Sequence, residues 1–331
     1  MNAYQAPKWL PGGHAQTISP LLIKPAAPAY RRERWQTSDG DFIDLDWNPF
    51  SAPPGAPART PLVIPLVTPL VILFHGLEGN SNSHYALALM RALAAIGWLG
   101  VVVHFRGCSG QANRLPRAYH SGDSEEIDWI LRRLRNENPQ RPLFAVGVSL
   151  GGNALLKWLG ERGASASSVL DGAAAVSAPL DLTACGHHLG RGFNRVYSRH
   201  FLRTLKPAAA ELLGRFPGLF DERRLRAAAT LYDFDDLVTG PLHGFTGAED
   251  YWRRASSKPW LQAIRLPTLV LNARNDPFLP GAALPNADQA GAAVTLEFPR
   301  QGGHVGFVSG RFPGTLGWMP ERVLQFFKNG V

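Results

Sequence analysis

Three residues far apart in the chain have the types and the order that hydrolytic chemistry needs: Ser149, Asp276 and His304. Ser149 is the centre of Gly147-Val148-Ser149-Leu150-Gly151, a G-x-S-x-G pentapeptide between an apolar run and a stretch with helical spacing. A serine hydroxyl at neutral pH is a weak nucleophile, so it needs a base, and the base needs an acid to orient it. Asp276 follows the apolar run 268–272, and His304 sits in Gly302-Gly303-His304-Val305-Gly306 after the run 294–298. Each candidate therefore follows an apolar strand, the end at which open parallel sheets build their sites. The chemistry this predicts is attack of Ser149 on an acyl carbon from a strained strand-to-helix turn. Glycines on both sides of the serine leave room where a Cβ would collide with neighbouring chain.

Other residues compete for these roles. Asp181 follows the apolar run 173–177 and could supply the acid, while His187 and His188 could meet substrate or solvent. His75 closes the run 70–74 and reads as a buried structural histidine with no part in proton transfer. The loop it opens, His75-Gly76-Leu77-Glu78-Gly79, offers the N–H of Leu77. Together with the N–H of Leu150 it would form a hole for the oxyanion. No cofactor is expected. There is no H-E-x-x-H, and adjacent histidines such as His187 and His188 cannot share one helix face. Cys108 and Cys185 lack C-x-x-C spacing, and neither a Gly-x-Gly-x-x-Gly nor a P-loop follows a strand.

The elements that must position these residues follow from apolar periodicity. Short strands at 31–37 and 41–47 flank the turn Ser38-Asp39-Gly40, and residues 51–61, dense in Pro, Ala and Gly, read as a surface loop. Strands at 70–74, 99–105, 143–148 and 173–177 alternate with helices at 85–96, 124–135 and 151–160. Their continuous apolar runs suit strands buried on both faces, and the alternation predicts a parallel α/β sheet. Asp123 and Glu126 have capping-box spacing at the start of the second helix. The rhythm lapses from about 180 to 261 and resumes with strands 268–272 and 294–298 and a helix at 320–328. The expected fold is α/β, a mostly parallel doubly wound sheet, with a core of 1–179 and 262–331 and a helical lid inserted at 180–261.

The chain of 331 residues carries 34 Lys+Arg against 26 Asp+Glu, a net charge of +8, with 18% charged and 45% hydrophobic residues. That composition excludes a disordered chain. The excess charge is spread along the chain without a Lys/Arg block, which argues against a nucleic-acid partner. One stretch stands apart: Arg191, Arg195, Arg199 and Arg203 recur every four residues, and no Asp or Glu occurs from 182 to 210. Phe193, Val196, Tyr197 and Phe201 would occupy another side of such a helix. Phe193, Tyr197 and Phe201 are candidates to line an acyl pocket, and the basic side could make weak contact with an anionic membrane surface. The first ten residues hold one Lys and no apolar core, and the run 62–74 is broken by prolines. No secretory leader or bilayer span is expected; a soluble, cytoplasmic protein is.

Several stretches resemble the YheT-type hydrolases of the α/β-hydrolase superfamily. They are Trp9-Leu10-Pro11-Gly12-Gly13-His14-Ala15-Gln16-Thr17, then Phe105-Arg106-Gly107-Cys108-Ser109-Gly110, Asn113-Arg114-Leu115-Pro116 and Tyr119-His120-Ser121-Gly122-Asp123. A late pattern from Asp235 through Asp250-Tyr251, Ser256, Ile264, Pro267 and Leu269 to Asp276-Pro277 is also similar, with Trp252 where the family has Tyr. The resemblance, from about residue 9 to 327, implies the α/β-hydrolase fold, ester hydrolysis and a triad of Ser149, Asp276 and His304. It leaves the substrate, a small-molecule ester or lipid, open. Acyl transfer on the same triad and a non-catalytic binding homologue stand as alternatives.

Overall fold

The computed structural model describes residues 3–23, 25–48 and 67–329. The loop expected at 51–61 lies outside them. Eight strands form one sheet: β1 (Arg31–Gln36), β2 (Phe42–Asn48), β3 (Leu70–Phe74), β4 (Leu99–His104), β5 (Leu143–Val148), β6 (Gly172–Val176), β7 (Thr268–Leu271) and β8 (Val294–Glu297). Their order is β1-β2-β4-β3-β5-β6-β7-β8. The hairpin β1–β2 is antiparallel, as is the β2–β4 pairing, and every pairing from β4 to β8 is parallel.

Side-chain alternation divides the sheet between two cores. Ile72, Phe74, Val101, Val103, Ala145, Ala173, Ala175 and Val270 point to one face. There they pack on α3 (Ser124–Glu137) and α4 (Leu150–Arg162), chiefly through Ile127, Ile130, Leu155 and Trp158. Val71, Leu73, Val102, Val146, Val148, Leu269 and Leu271 point to the other. They meet α2 (His84–Ala95) and the last helix, Trp318–Asn329, through Leu89, Met90, Val323 and Phe327. Period two in a strand buried on both faces needs apolar residues at every position, which is why the runs are unbroken.

The β1–β2 turn is fastened to the rest by buried charge. Asp41 accepts from the N–H groups of Phe42, Arg114 and Leu115 and from the Asn113 amide. Arg106 pairs with Glu126 at 2.7 Å and with Asp39 at 2.9 Å. Asp123 caps α3 by accepting the Glu126 N–H at 3.3 Å. Glu126 does not return the bond; its carboxylate is held by Arg106, so only half of the expected box forms.

A short α1 (Gly13–Ile18) precedes the sheet, and helices fill the chain between β6 and β7. They are α5 (Leu182–Leu189), α6 (Arg195–Arg215), α7 (Glu222–Ala227), α8 (Leu231–Phe234), α9 (Gly240–Leu242) and α10 (Ala248–Ala255), so the C-terminal helix is α11. A π-helical turn, Asp235–Thr239, follows α8. Among the described residues no helix is long and apolar enough to cross a membrane, and no cluster of three His, Cys, Asp or Glu could hold a metal.

Candidate active site

Ser149 joins β5 to α4 with φ 52° and ψ −121°, a left-handed conformation unfavourable for a residue with a Cβ. Its glycines are required by close approach. A Cβ on Gly147 would lie 2.5 Å from the carbonyl O of Gly151, and one on Gly151 would lie 2.5 Å from that of His75. The turn presents the hydroxyl beside the N-terminus of α4, where unpaired N–H groups and the helix dipole favour negative charge.

His304 brings Nε2 to 3.0 Å from the Ser149 Oγ, and its Nδ1 is 2.8 Å from Asp276 Oδ2. The other carboxylate oxygen of Asp276 accepts the Phe278 N–H at 2.8 Å, which fixes the carboxylate plane. Phe278 lies flat on the imidazole, ring centroids 3.9 Å apart at 14°. Asp276 and His304 are both buried. With a carboxylate on Nδ1, that nitrogen carries the proton and Nε2 is free to accept one from the serine.

The N–H groups around the two expected oxyanion donors are all taken. The Ser149 N–H is taken by the Val176 carbonyl and the Gly151 N–H by that of His75. The N–H groups of Gly76 and Glu78 go to the hydroxyls of Tyr85 and Tyr119. Between these, the N–H groups of Leu77 and Leu150 have no acceptor among the described residues, and both residues border the same cavity as Ser149. His75 is buried and held neutral: Nδ1–H donates to the Gly76 carbonyl at 2.7 Å and Nε2 accepts the Phe105 N–H at 3.0 Å. Burial lowers its pKa to about 3, in keeping with a structural role.

The cavity holds about 450 Å³ and is roofed by the helices between β6 and β7. Leu182, Leu189, Phe201, Leu205 and Trp252 supply apolar wall. Of the three pocket candidates, Phe201 borders it; Phe193 and Tyr197 do not. The reason is where α6 starts. Phe193 precedes the helix in a 3-10 turn and points to solvent. Tyr197 is buried but packs on Phe278 and bonds His14, so it backs the site from behind. Asp181 caps α5 through the Ala184 N–H rather than meeting His304. His187 pairs with Glu249 on the surface, and His188 makes no hydrogen bond to the three site residues.

Two features beside the site are not evident from the sequence. The first is Asp235, on the cavity wall, whose carboxylate accepts from Trp252 Nε1 at 2.8 Å and whose pKa burial raises to about 6. The second is a brace from the N-terminal stretch. Four consecutive N–H groups, Gly302 to Val305, each donate to a side-chain oxygen of another segment: Gln16, Asn275, Thr17 and Ser177. Gln16 is fully buried; its Oε1 also accepts from Asn275 Nδ2, and its Nε2 donates to the Leu10 carbonyl. The family-like stretch Trp9–Thr17 was the signal, but nothing in it says what it touches.

A strained serine elbow on a mostly parallel sheet, with an Asp–His pair on later strand-end loops, defines an α/β hydrolase. A profile of the alpha/beta hydrolase fold matches residues 69–310. Over 317 residues the chain is 40% identical to YheT of Escherichia coli (strain K12), a protein named as a candidate esterase, covering 94% of this chain and 88% of that one. It is 29% identical over 330 residues to the human phospholipase ABHD3, covering 98% and 78%. An esterase from Pyrococcus furiosus superposes with a TM-score of 0.55 over 91% of each chain at 16% identity, a likeness of fold alone. The chain belongs to the α/β-hydrolase family, in its YheT-type branch.

Proposed function

We propose that the chain is a serine hydrolase of carboxylic esters with an apolar acyl group. The observation that carries this reading is the hydrogen-bonded series Ser149–His304–Asp276 opening onto a largely apolar cavity. In this mechanism His304 Nε2 takes the hydroxyl proton as Ser149 Oγ bonds to the acyl carbon. Asp276 holds the imidazole in its working tautomer and stabilises the imidazolium. The oxyanion is received by the N–H groups of Leu77 and Leu150, each worth roughly 3 kcal/mol in the transition state. His304 then protonates the leaving alkoxide and the alcohol departs; a water deprotonated by the same nitrogen attacks the acyl carbon, the bond to Ser149 Oγ breaks, and His304 returns the proton to that oxygen as the acid leaves. Relatives named esterase and phospholipase support an ester or lipid substrate.

The test is covalent labelling with a fluorophosphonate, followed by peptide mapping. Modification confined to Ser149 supports the reading, and no labelling at Ser149 returns the chain to a binding role. Adding alcohols to the ester reaction separates hydrolysis from acyl transfer: transfer products outpacing free acid would make the chain a transferase.

A further inference from the structure

Five of the large apolar side chains left in solvent come from two segments that touch. Ile18, Leu21 and Leu22 lie at the end of α1 and in the 3-10 turn after it; Phe193 lies in the 3-10 turn before α6 and Val196 in its first turn. Leu22 is 83% exposed, Phe193 59% and Leu21 52%, so more than half of each residue's surface meets water. The His14 ring joins the segments: it stands edge-on to Phe193 at 4.7 Å between centroids, and its Nδ1 is 3.0 Å from the Tyr197 hydroxyl. Ile18 is one helical turn beyond His14 and shares its side of α1.

Cations accompany this patch. Arg191, Arg195, Arg199 and Arg203 are exposed, and none makes an ion pair or side-chain hydrogen bond among the described residues. Elsewhere surface arginines do find carboxylates, as Arg253 and Arg254 do on Asp250. No Asp or Glu from 182 to 210 offsets the charge. None of the five apolar residues lines the cavity, so they serve no wall of it. They project from element ends and flank unpaired arginines, the arrangement that lets apolar side chains enter acyl chains while cations meet head groups.

We propose that the surface formed by α1, its following turn and the start of α6 docks on an anionic lipid bilayer. The surface is coupled to the site by ring contacts: His14 on Tyr197, Tyr197 on Phe278, and Phe278 on His304. Three ring contacts thus link the docking surface to His304. The proposal stands independently of ester cleavage, because binding is read without turnover.

The experiment is co-sedimentation of the full chain with phosphatidylcholine vesicles, with and without phosphatidylglycerol. Binding is expected only to the anionic vesicles. The pair Arg195→Ala with Arg199→Ala should weaken it roughly 10- to 30-fold, and Leu22→Ser with Phe193→Ser roughly 10-fold or more. Ile96→Ser, at the C-terminal end of α2 before β4, should leave binding unchanged, and Ser149→Ala should bind like the parent. No binding, equal binding to neutral vesicles, or insensitivity to the patch variants with their folds intact by circular dichroism overturns the proposal. A patch-dependent dimer without vesicle binding also overturns it, in favour of self-association.

Discussion

The backbone N–H of His304 donates to Thr17 Oγ1 at 2.8 Å, a bond that spans 287 residues of chain. The same hydroxyl donates to the Gly13 carbonyl, so the rotor is fixed at both ends. A segment before the sheet thus sets the height at which the imidazole sits above Ser149.

Thr17→Val removes both bonds and leaves the His304 N–H buried without an acceptor. The expected cost is about 1–3 kcal/mol of stability. The expected kinetic effect is a fall in kcat of roughly tenfold with KM nearly unchanged, since a small misplacement of the base acts on the chemical step. Thr17→Ser should restore kcat. A parallel loss of KM and kcat, or no rescue by serine, would make the brace structural only.

Asp276→Asn should keep the loop in place, because an amide oxygen can still accept the Phe278 N–H. The amide nitrogen would then donate to His304 Nδ1 and drive the ring proton to Nε2, facing Ser149. On this account kcat falls roughly 10⁴-fold while the melting temperature moves little. Steady-state kinetics beside a thermal scan checks both.

Phe201→Ala should enlarge the cavity beside Ser149, and Phe193→Ala should not. Each methylene newly accommodated adds about 0.8 kcal/mol, close to fourfold in kcat/KM. A series of ester chain lengths is therefore expected to show its optimum shifted to longer acyl groups in the first variant alone.

Stability should fall as pH drops below 6.5. Burial lowers His75 to about 3, His84 to about 4 and His120 to about 3, so the unfolded chain takes protons that the folded chain refuses. Each such histidine forfeits about 1.4 kcal/mol one pH unit below 6.5, and the loss grows until the folded group itself titrates. Two carboxyl groups act in the other direction. Burial raises Asp235 to about 6 and Glu126 to about 7, so the folded chain holds protons there that the unfolded chain has shed. The three histidines outweigh the two acids at pH 5.5, leaving net uptake of about one proton on unfolding. Urea unfolding at pH 7.5 and 5.5 should show lower stability at the acid end, and Asp235→Asn should steepen the difference.

Much of this site was legible because its signals are local. The apolar runs placed β3 to β7 within a residue or so, the alternation Val294-Thr295-Leu296-Glu297 placed β8, and the glycines around Ser149 marked a turn that only close packing demands. Asp276 and His304 could be picked out by following strand ends, since a parallel sheet gathers its loops on one edge. What stayed hidden depends on contacts across the chain. Gln16 and Thr17 could be seen as part of a family-like stretch, yet their partners lie near Asn275 and His304, and no spacing rule spans that distance. Phe193 and Tyr197 were misplaced because helical periodicity separates two sides of α6 without saying which faces the cavity or where the helix begins. Asp235 gave no sign of its burial, which arises only when Trp252 and Thr239 close over it.

The most direct measurement is turnover of a short p-nitrophenyl ester by the chain and by Ser149→Ala, prepared side by side. The variant is expected to lose about 10⁴-fold or more in kcat while retaining its fold and thermal stability. Turnover by Ser149→Ala at the parent rate would contradict it and remove Ser149 from the chemistry.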